Sequence, residues 1–329
     1  MQSSSNLFPV ALVSAERRGD LSEDVYLIKA NNSLDFTTEL AVTRLGLCDT
    51  RAERGPADRG PADRGPAVVL LHGAFANRRF WYSPKGLGLG PALVRAGFDV
   101  WIAEMRGHGL SPRNQGYASN QVDDYARYDV PAINAFVTEM NGQRPHWVGH
   151  SLGGTTLAVA LGLGSLTEQH IASAALFGSQ VSRRYGALRL PPLNWLVRVL
   201  LRRFDHISGR RFKRGPEDEP MGVAVEWLRW QRRPGSWWAG LASNQVPLLA
   251  VAGAGDEQDP AWACRALFEQ AGGELRRFVE LGCEAGYSRD FGHVEMLVGE
   301  AAEREVWPLL LRWLQEAQAQ GVSHKSHAA

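Results

Sequence analysis

Gly149-His150-Ser151-Leu152-Gly153 fits the pattern G-x-S-x-G. The pentapeptide stands between an apolar run, residues 146–150, and a helical pattern over residues 152–163. A sharp strand-to-helix turn in that setting holds a serine hydroxyl out at the carboxyl end of a sheet. Small residues are needed at both Gly positions, because the backbone turns tightly and its neighbours crowd it. A serine hydroxyl is a poor nucleophile at neutral pH and needs a base. In an elbow of this kind the partners follow in the order Ser, acid, His. Of the nine His, five lie before or around the serine, His206 falls in an insertion, and His324 and His327 lie near the end of the sequence. His293 stands apart, in Asp290-Phe291-Gly292-His293, where Gly292 permits a tight loop and a helix is expected to begin immediately after. It is the expected general base and, later, general acid. Asp256, in the loop after an apolar run ending at Gly253, is the expected acid. Its task is to fix the imidazole tautomer and stabilise the imidazolium. Asp259 competes for that place; its other reading is an N-cap before Pro260.

Acyl transfer to a serine builds negative charge on the carbonyl oxygen, and preorganised N–H donors must meet it. The backbone N–H of Leu152, next after the serine, is one. Ala74, in the loop His72-Gly73-Ala74-Phe75, is the expected second. Phe75 and Trp81 follow that loop and are candidates to line an acyl pocket. His150 is a further candidate for substrate contact, against its reading as a packing residue at the elbow. Arg106 and His108 look like neighbours of the site, and their main reading is structural.

These groups need a scaffold to hold them. Apolar runs at residues 67–71, 98–103, 146–150, 171–177, 246–253 and 275–281 are short and end in turn residues. That is the signature of strands buried on both faces, as in a parallel sheet. Two further β-prone runs lie at 25–28 and 40–44. Helical patterns over 90–96, 122–140, 152–163, 260–270 and 294–317 alternate with the later strands. An α/β domain with right-handed crossovers follows. Residues 1–181 are expected to form the first part of the core, interrupted by the tandem Pro/Gly repeat at 54–67, a solvated loop. Residues 182–245 lack a clear buried strand and read as a helical cap. Residues 246–317 return to the core, and 318–329 read as a polar tail.

Thirty-six basic and 35 acidic residues leave a net charge of +1, which argues against gripping nucleic acid as the main task. The near-neutral total hides an asymmetry. Residues 182–240 carry 13 Lys or Arg and 5 Asp or Glu, a charge of +8, and the remainder carries −7. Five of the eleven Trp also fall in that segment. A basic, aromatic cap suggests attraction for anionic amphiphiles and peripheral contact with lipid. The three Cys are scattered, without the spacing of a disulfide framework or a zinc site. No metal constellation is visible, and neither a dinucleotide fingerprint nor a phosphate loop follows the first strands, so no cofactor is expected. No charged segment precedes the short apolar stretch at the start of the sequence and no apolar run is long enough for a bilayer. A cytoplasmic setting is the expectation, and the pattern gives no oligomeric state.

Together these residues resemble the α/β-hydrolase superfamily. The detail is similar to the acid-lipase branch of gastric and lysosomal lipases and to bacterial hydrolases related to it. Gly97-Phe-Asp-Val-Trp101, then Arg106-Gly107 and Pro112-Arg-Asn114, resemble that branch's Gly-Tyr-Asp-Val-Trp, Arg-Gly and Arg-Asn segments. Tyr128-Asp-Val-Pro-Ala132 resembles its Tyr-Asp-Leu-Pro-Ala helix, and Val148–Thr156 resembles its Gly-His-Ser-Gln-Gly-Thr-Thr elbow. The resemblance runs over residues 67–160 and resumes at 246–315. It implies oxyanion donors at Ala74 and Leu152. Leu152 replaces the branch's Gln, which leaves the backbone donor intact, and the cap does not visibly match. The implied activity is hydrolysis of carboxylic esters with an apolar acyl part. The same groups would serve an acyltransferase or thioesterase. A non-catalytic binding protein of this fold usually lacks a triad member, and here all are present.

Overall fold

The computed structural model describes residues 5–48 and 65–327. Most of the repeat read at 54–67 lies outside the described residues. A nine-stranded sheet runs through the molecule. It opens with β1 (Val10–Arg18), β2 (Leu21–Ile28) and β3 (Leu40–Leu47), an antiparallel meander. Then come β4 (Ala67–Leu71), α1 (Leu89–Arg95), β5 (Asp99–Ala103), α2 (Val122–Asp124), α3 (Val130–Asn141), β6 (His146–His150), α4 (Leu152–Leu163) and β7 (Ser173–Phe177). After an insertion follow β10 (Leu248–Gly253), α8 (Ala261–Phe268), β11 (Arg276–Leu281) and α9 (Trp307–His327). The order across the sheet is β1-β2-β3-β5-β4-β6-β7-β10-β11. Every pair from β5 to β11 is parallel, and β3 meets β5 antiparallel.

The apolar runs are continuous because helices cover both faces. In β4, Val69 and Leu71 join one core with Trp101, Trp147, Ile133, Phe136 and Leu157. Val68 and Leu70 point the other way, into a core with Val100, Val148, Phe177, Leu93, Leu310 and Trp313. All five residues of β4 are fully buried. Each buried branched side chain contributes about 1.5–3 kcal/mol, enough to fix which face each residue takes.

The insertion between β7 and β10 holds α5 (Pro191–Leu201), α6 (Met221–Trp230) and α7 (Trp237–Gly240). It is not purely helical. β8 (His206–Ile207) and β9 (Glu219–Pro220) pair antiparallel, and β9 is buried. Other elements also depart from expectation. β1 was not anticipated: it is an edge strand with mostly exposed or half-exposed residues, so it carries little apolar signal. The helical stretch at 122–140 contains a wider π-turn over Tyr125–Asp129. No helix begins directly after His293; residues 293–299 form turns and bends, and helical turns are continuous only from Glu300. α9 carries the backbone of the expected polar tail on to His327.

Candidate active site

β6 ends at His150, and α4 begins at Leu152, so Ser151 alone makes the turn. Its backbone sits at φ 52°, ψ −119°. A non-glycine residue there is strained by about 1–3 kcal/mol and persists only where its surroundings impose it. The surroundings are close. Ser151 N–H donates to Phe177 O at 2.8 Å. Ser179 Oγ donates to Ser151 O at 3.1 Å. A Cβ on Gly149 would lie 2.5 Å from Gly154 N, and one on Gly153 2.4 Å from His72 O, which is why neither position takes a side chain.

The expected acid and base meet. His293 Nδ1 lies 2.7 Å from Asp256 Oδ2. Asp256 is held by the backbone after it, because its Oδ1 accepts the N–H groups of Gln258 and Asp259 at 2.9 Å each. With Nδ1–H given to Asp256, His293 Nε2 carries the lone pair. It accepts from Gln258 Nε2 at 3.0 Å. The carbonyl of His293 accepts from His150 Nε2 at 2.9 Å.

Asp259 is not an N-cap: the cap of α8 is Pro260, with no side-chain bond. The carboxylate of Asp259 turns into the site instead. Ser151 Oγ makes a long 3.5 Å contact with its Oδ2, and Gln180 Nε2 donates to its Oδ1 at 2.9 Å. His293 Nδ1 is 3.8 Å away. Burial, aided by the Asp256 charge, raises Asp259 from its ordinary value to about 6, against the pull of His293, Gln180 and Ser151. Gln180, Gln258 and Gly178 were not foreseen. Gly178 closes β7 at φ 53°, and a Cβ there would lie 3.1 Å from His293 Nδ1 and 3.2 Å from Asp256 Oδ2. The G-A-G-D loop pattern gives no cue to the first two; only the position of Gly178 at a strand end hints at the third.

A cavity of about 420 Å³ opens at Ser151, lined among others by Ala74, Phe75, Phe80, His150, Arg214 and His293. Phe75 thus lies where expected. Trp81 does not: it is 1% exposed and packs in the core with Leu89 and Leu93 on the far side of the short Arg78–Phe80 turn. Its neighbour Phe80 takes the pocket place and stacks on His150, ring centroids 4.5 Å apart. His150 is both packed and cavity-lining; burial and the nearby His293 pull it down to about 3, so it is neutral. Leu152 N–H opens α4, where helix donors lack intrahelical partners. In the facing loop, Phe75, at φ 59°, gives its N–H to Glu219 Oε1 at 2.7 Å. That leaves Ala74 as the loop's candidate donor.

Arg106 and His108 brace this loop region. Arg106 forms a buried pair with Asp129, delivered by the π-turn; burial opposes the Arg106 charge and Asp129 more than restores it. His108 Nε2 lies 2.9 Å from Glu219 Oε1; burial works against its charged form, but Glu219 raises its pKa overall. Among the described residues no His, Cys, Asp and Glu group could hold a metal.

Strand order, the elbow at a parallel strand's carboxyl end, and the insertion after β7 define the α/β-hydrolase fold, and residues 66–204 match the alpha/beta hydrolase fold family. The curated relatives and solved structures that it resembles include lipases and esterases. It is 38% identical over 98 residues to human gastric triacylglycerol lipase, a match covering 27% of this chain and 24% of that protein. With mouse lipase member N it shares 31% over 148 residues, 42% of this chain and 37% of the relative. The chain therefore spans well under half the length of these curated relatives. An esterase from Thermogutta terrifontis superposes with a TM-score of 0.56 at 18% identity, covering 87% of this chain and 96% of that one. A monoacylglycerol lipase from Paleococcus ferrophilus gives 0.56 at 19%, covering 77% and 96%.

Proposed function

We propose that the chain hydrolyses carboxylic esters with an apolar acyl part, with Ser151 as nucleophile, His293 as base and Asp256 as its orienting acid. The 2.7 Å contact between His293 Nδ1 and Asp256, beside a strained Ser151, is the observation that carries this reading. The lipase and esterase relatives support it. Gln258 releases the lone pair of His293 Nε2, and Ser151 Oγ leaves Asp259 and gives its proton to that nitrogen as it attacks the ester carbonyl. The oxyanion is met by the N–H groups of Ala74 and Leu152. The imidazolium then protonates the leaving alcohol. Water, deprotonated by His293, releases the acid. Phe75 and Phe80 line the wall that the acyl part would meet.

A fluorophosphonate probe tests this directly. Wild type should label once, at Ser151, and turn over p-nitrophenyl esters of graded chain length; Ser151→Ala should do neither. Labelling at another serine, or equal turnover by both proteins, would overturn the assignment. Faster turnover of acyl-CoA than of any ester in the same panel would move the reading to a thioesterase.

A further inference from the structure

The cap's acidic residues are turned toward the core. Glu217 accepts from Asn77 at 2.6 Å, Asp218 pairs with Arg113 at 2.7 Å, and Glu219 takes Phe75 N–H and His108. Glu226 accepts the N–H groups of Val122 and Asp123 at the start of α2. Four of the segment's five acids are thereby committed to the core, and none of the four pairs with the arginines of α5 and α6 or those that flank them. Arg189 precedes α5, Arg198 lies within it, Arg229 ends the last turn of α6, and Arg232 and Arg233 follow. With Pro191 they line one basin of about 600 Å³.

None of these five guanidiniums lies within 4.0 Å of a carboxylate among the described residues. Arg229 bonds the neutral Gln121 side chain at 3.1 Å. The Nε of Arg198 is buried without a partner. Partial burial and the neighbouring guanidiniums of Arg229, Arg202 and Arg232 pull Arg198 below its ordinary value, so like charges are being held together. Planar guanidiniums converging on one cavity match a tetrahedral oxyanion, which accepts paired N–H bonds from each.

We infer that this basin is a binding site for a phosphate group, separate from the Ser151 cavity and independent of any reading of its chemistry. A bound phosphate restores the missing negative charge. Its source is either a soluble phosphorylated molecule or a lipid headgroup. Leu190, between Arg189 and Pro191 in the chain, and Trp195, on the same helix as Arg198, are exposed at 58% and 61% and would meet the apolar part of a lipid.

The test follows the thermal midpoint of the full chain against pyrophosphate, glycerol 3-phosphate and sodium chloride at matched ionic strength. Sedimentation with phosphatidylcholine vesicles, with and without one-fifth phosphatidate, forms the lipid arm. A saturable rise with a soluble phosphate identifies the soluble source; phosphatidate-dependent sedimentation without that rise identifies the headgroup. In either case Arg198→Gln/Arg232→Gln should weaken binding at least tenfold and raise the ligand-free midpoint, since it relieves repulsion. Arg189→Gln/Arg233→Gln, at exposed positions, gives a second variant should the first fold poorly. No response in any arm, a chloride response as large as the phosphate one, or binding undiminished in both variants would overturn the site.

Discussion

At the scale of the residue, two carboxylates three positions apart do different work. Asp256 is satisfied by two backbone N–H groups and by His293. Asp259 is buried against Ser151. Asp256→Asn should lower kcat by about 10³- to 10⁴-fold, because the imidazole loses its fixed tautomer. Asp259→Asn should leave kcat within about tenfold and change stability instead. A carboxyl raised from 3.8 to about 6 binds a proton in the fold that it would release on unfolding, so its contribution falls as pH rises from 4 through 6. The substitution should therefore stabilise the protein by up to about 3 kcal/mol at pH 8 and change little at pH 4, read from urea midpoints at the two pH values. The elbow was legible in the sequence because its constraint is local: two glycines, a serine, a strand before and a helix after. Asp259 was misread because Asp before Pro looks like a cap, and only the packing of α8 against the site decides where its carboxylate turns.

At the scale of the element, the short strand β9 ties the insertion to the loop that carries Ala74 and Phe75. Glu219 Oε1 serves both Phe75 N–H and His108, and its Oε2 has no partner. Glu219→Ala should cost roughly 3–5 kcal/mol in a denaturant series and lower kcat more than it raises KM, because it frees the strained Phe75 beside the Ala74 donor. Glu219→Gln keeps an acceptor and should lose less. Equal stability of Glu219→Ala and wild type would show the tie to be unimportant. The parallel strands could be read from composition, since burial on both faces demands unbroken apolar runs. The tie could not: β9 is two residues long, and Phe75 and His108, which Glu219 holds, lie more than a hundred positions away. β1 escaped for the opposite reason, as an edge strand with little apolar surface to bury. Phe80 takes the pocket place expected of Trp81 because the turn at 78–80 sets which ring faces the cavity.

At the scale of the whole molecule, buried imidazoles and buried carboxyls pull the response to acid in opposite directions. Burial holds His72 and His150 at about 3 and His146 at about 4, each neutral in the fold. The unfolded chain takes up protons that the folded chain refuses, so stability drains as pH falls from about 6.5 toward 4. Glu226, raised by burial and its acidic neighbours to about 7, acts in the opposite direction, as do Asp259, His108, raised by Glu219, and the buried carboxyls of Glu104 and Asp129, raised by desolvation. His146→Gln should therefore gain stability relative to wild type as pH falls from 7 to 4.5, read from urea midpoints; a difference that stays constant with pH would contradict the burial assigned to this ring. The division of charge, +8 on the cap segment and −7 elsewhere, also gives the molecule a polarity. In the field of an anionic surface such a body experiences a torque before it makes any contact, and it arrives cap first. Salt shortens the reach of that field to about 8 Å at physiological strength, so orientation on approach is a property of dilute buffers, while bonds formed inside the arginine basin outlast the screening.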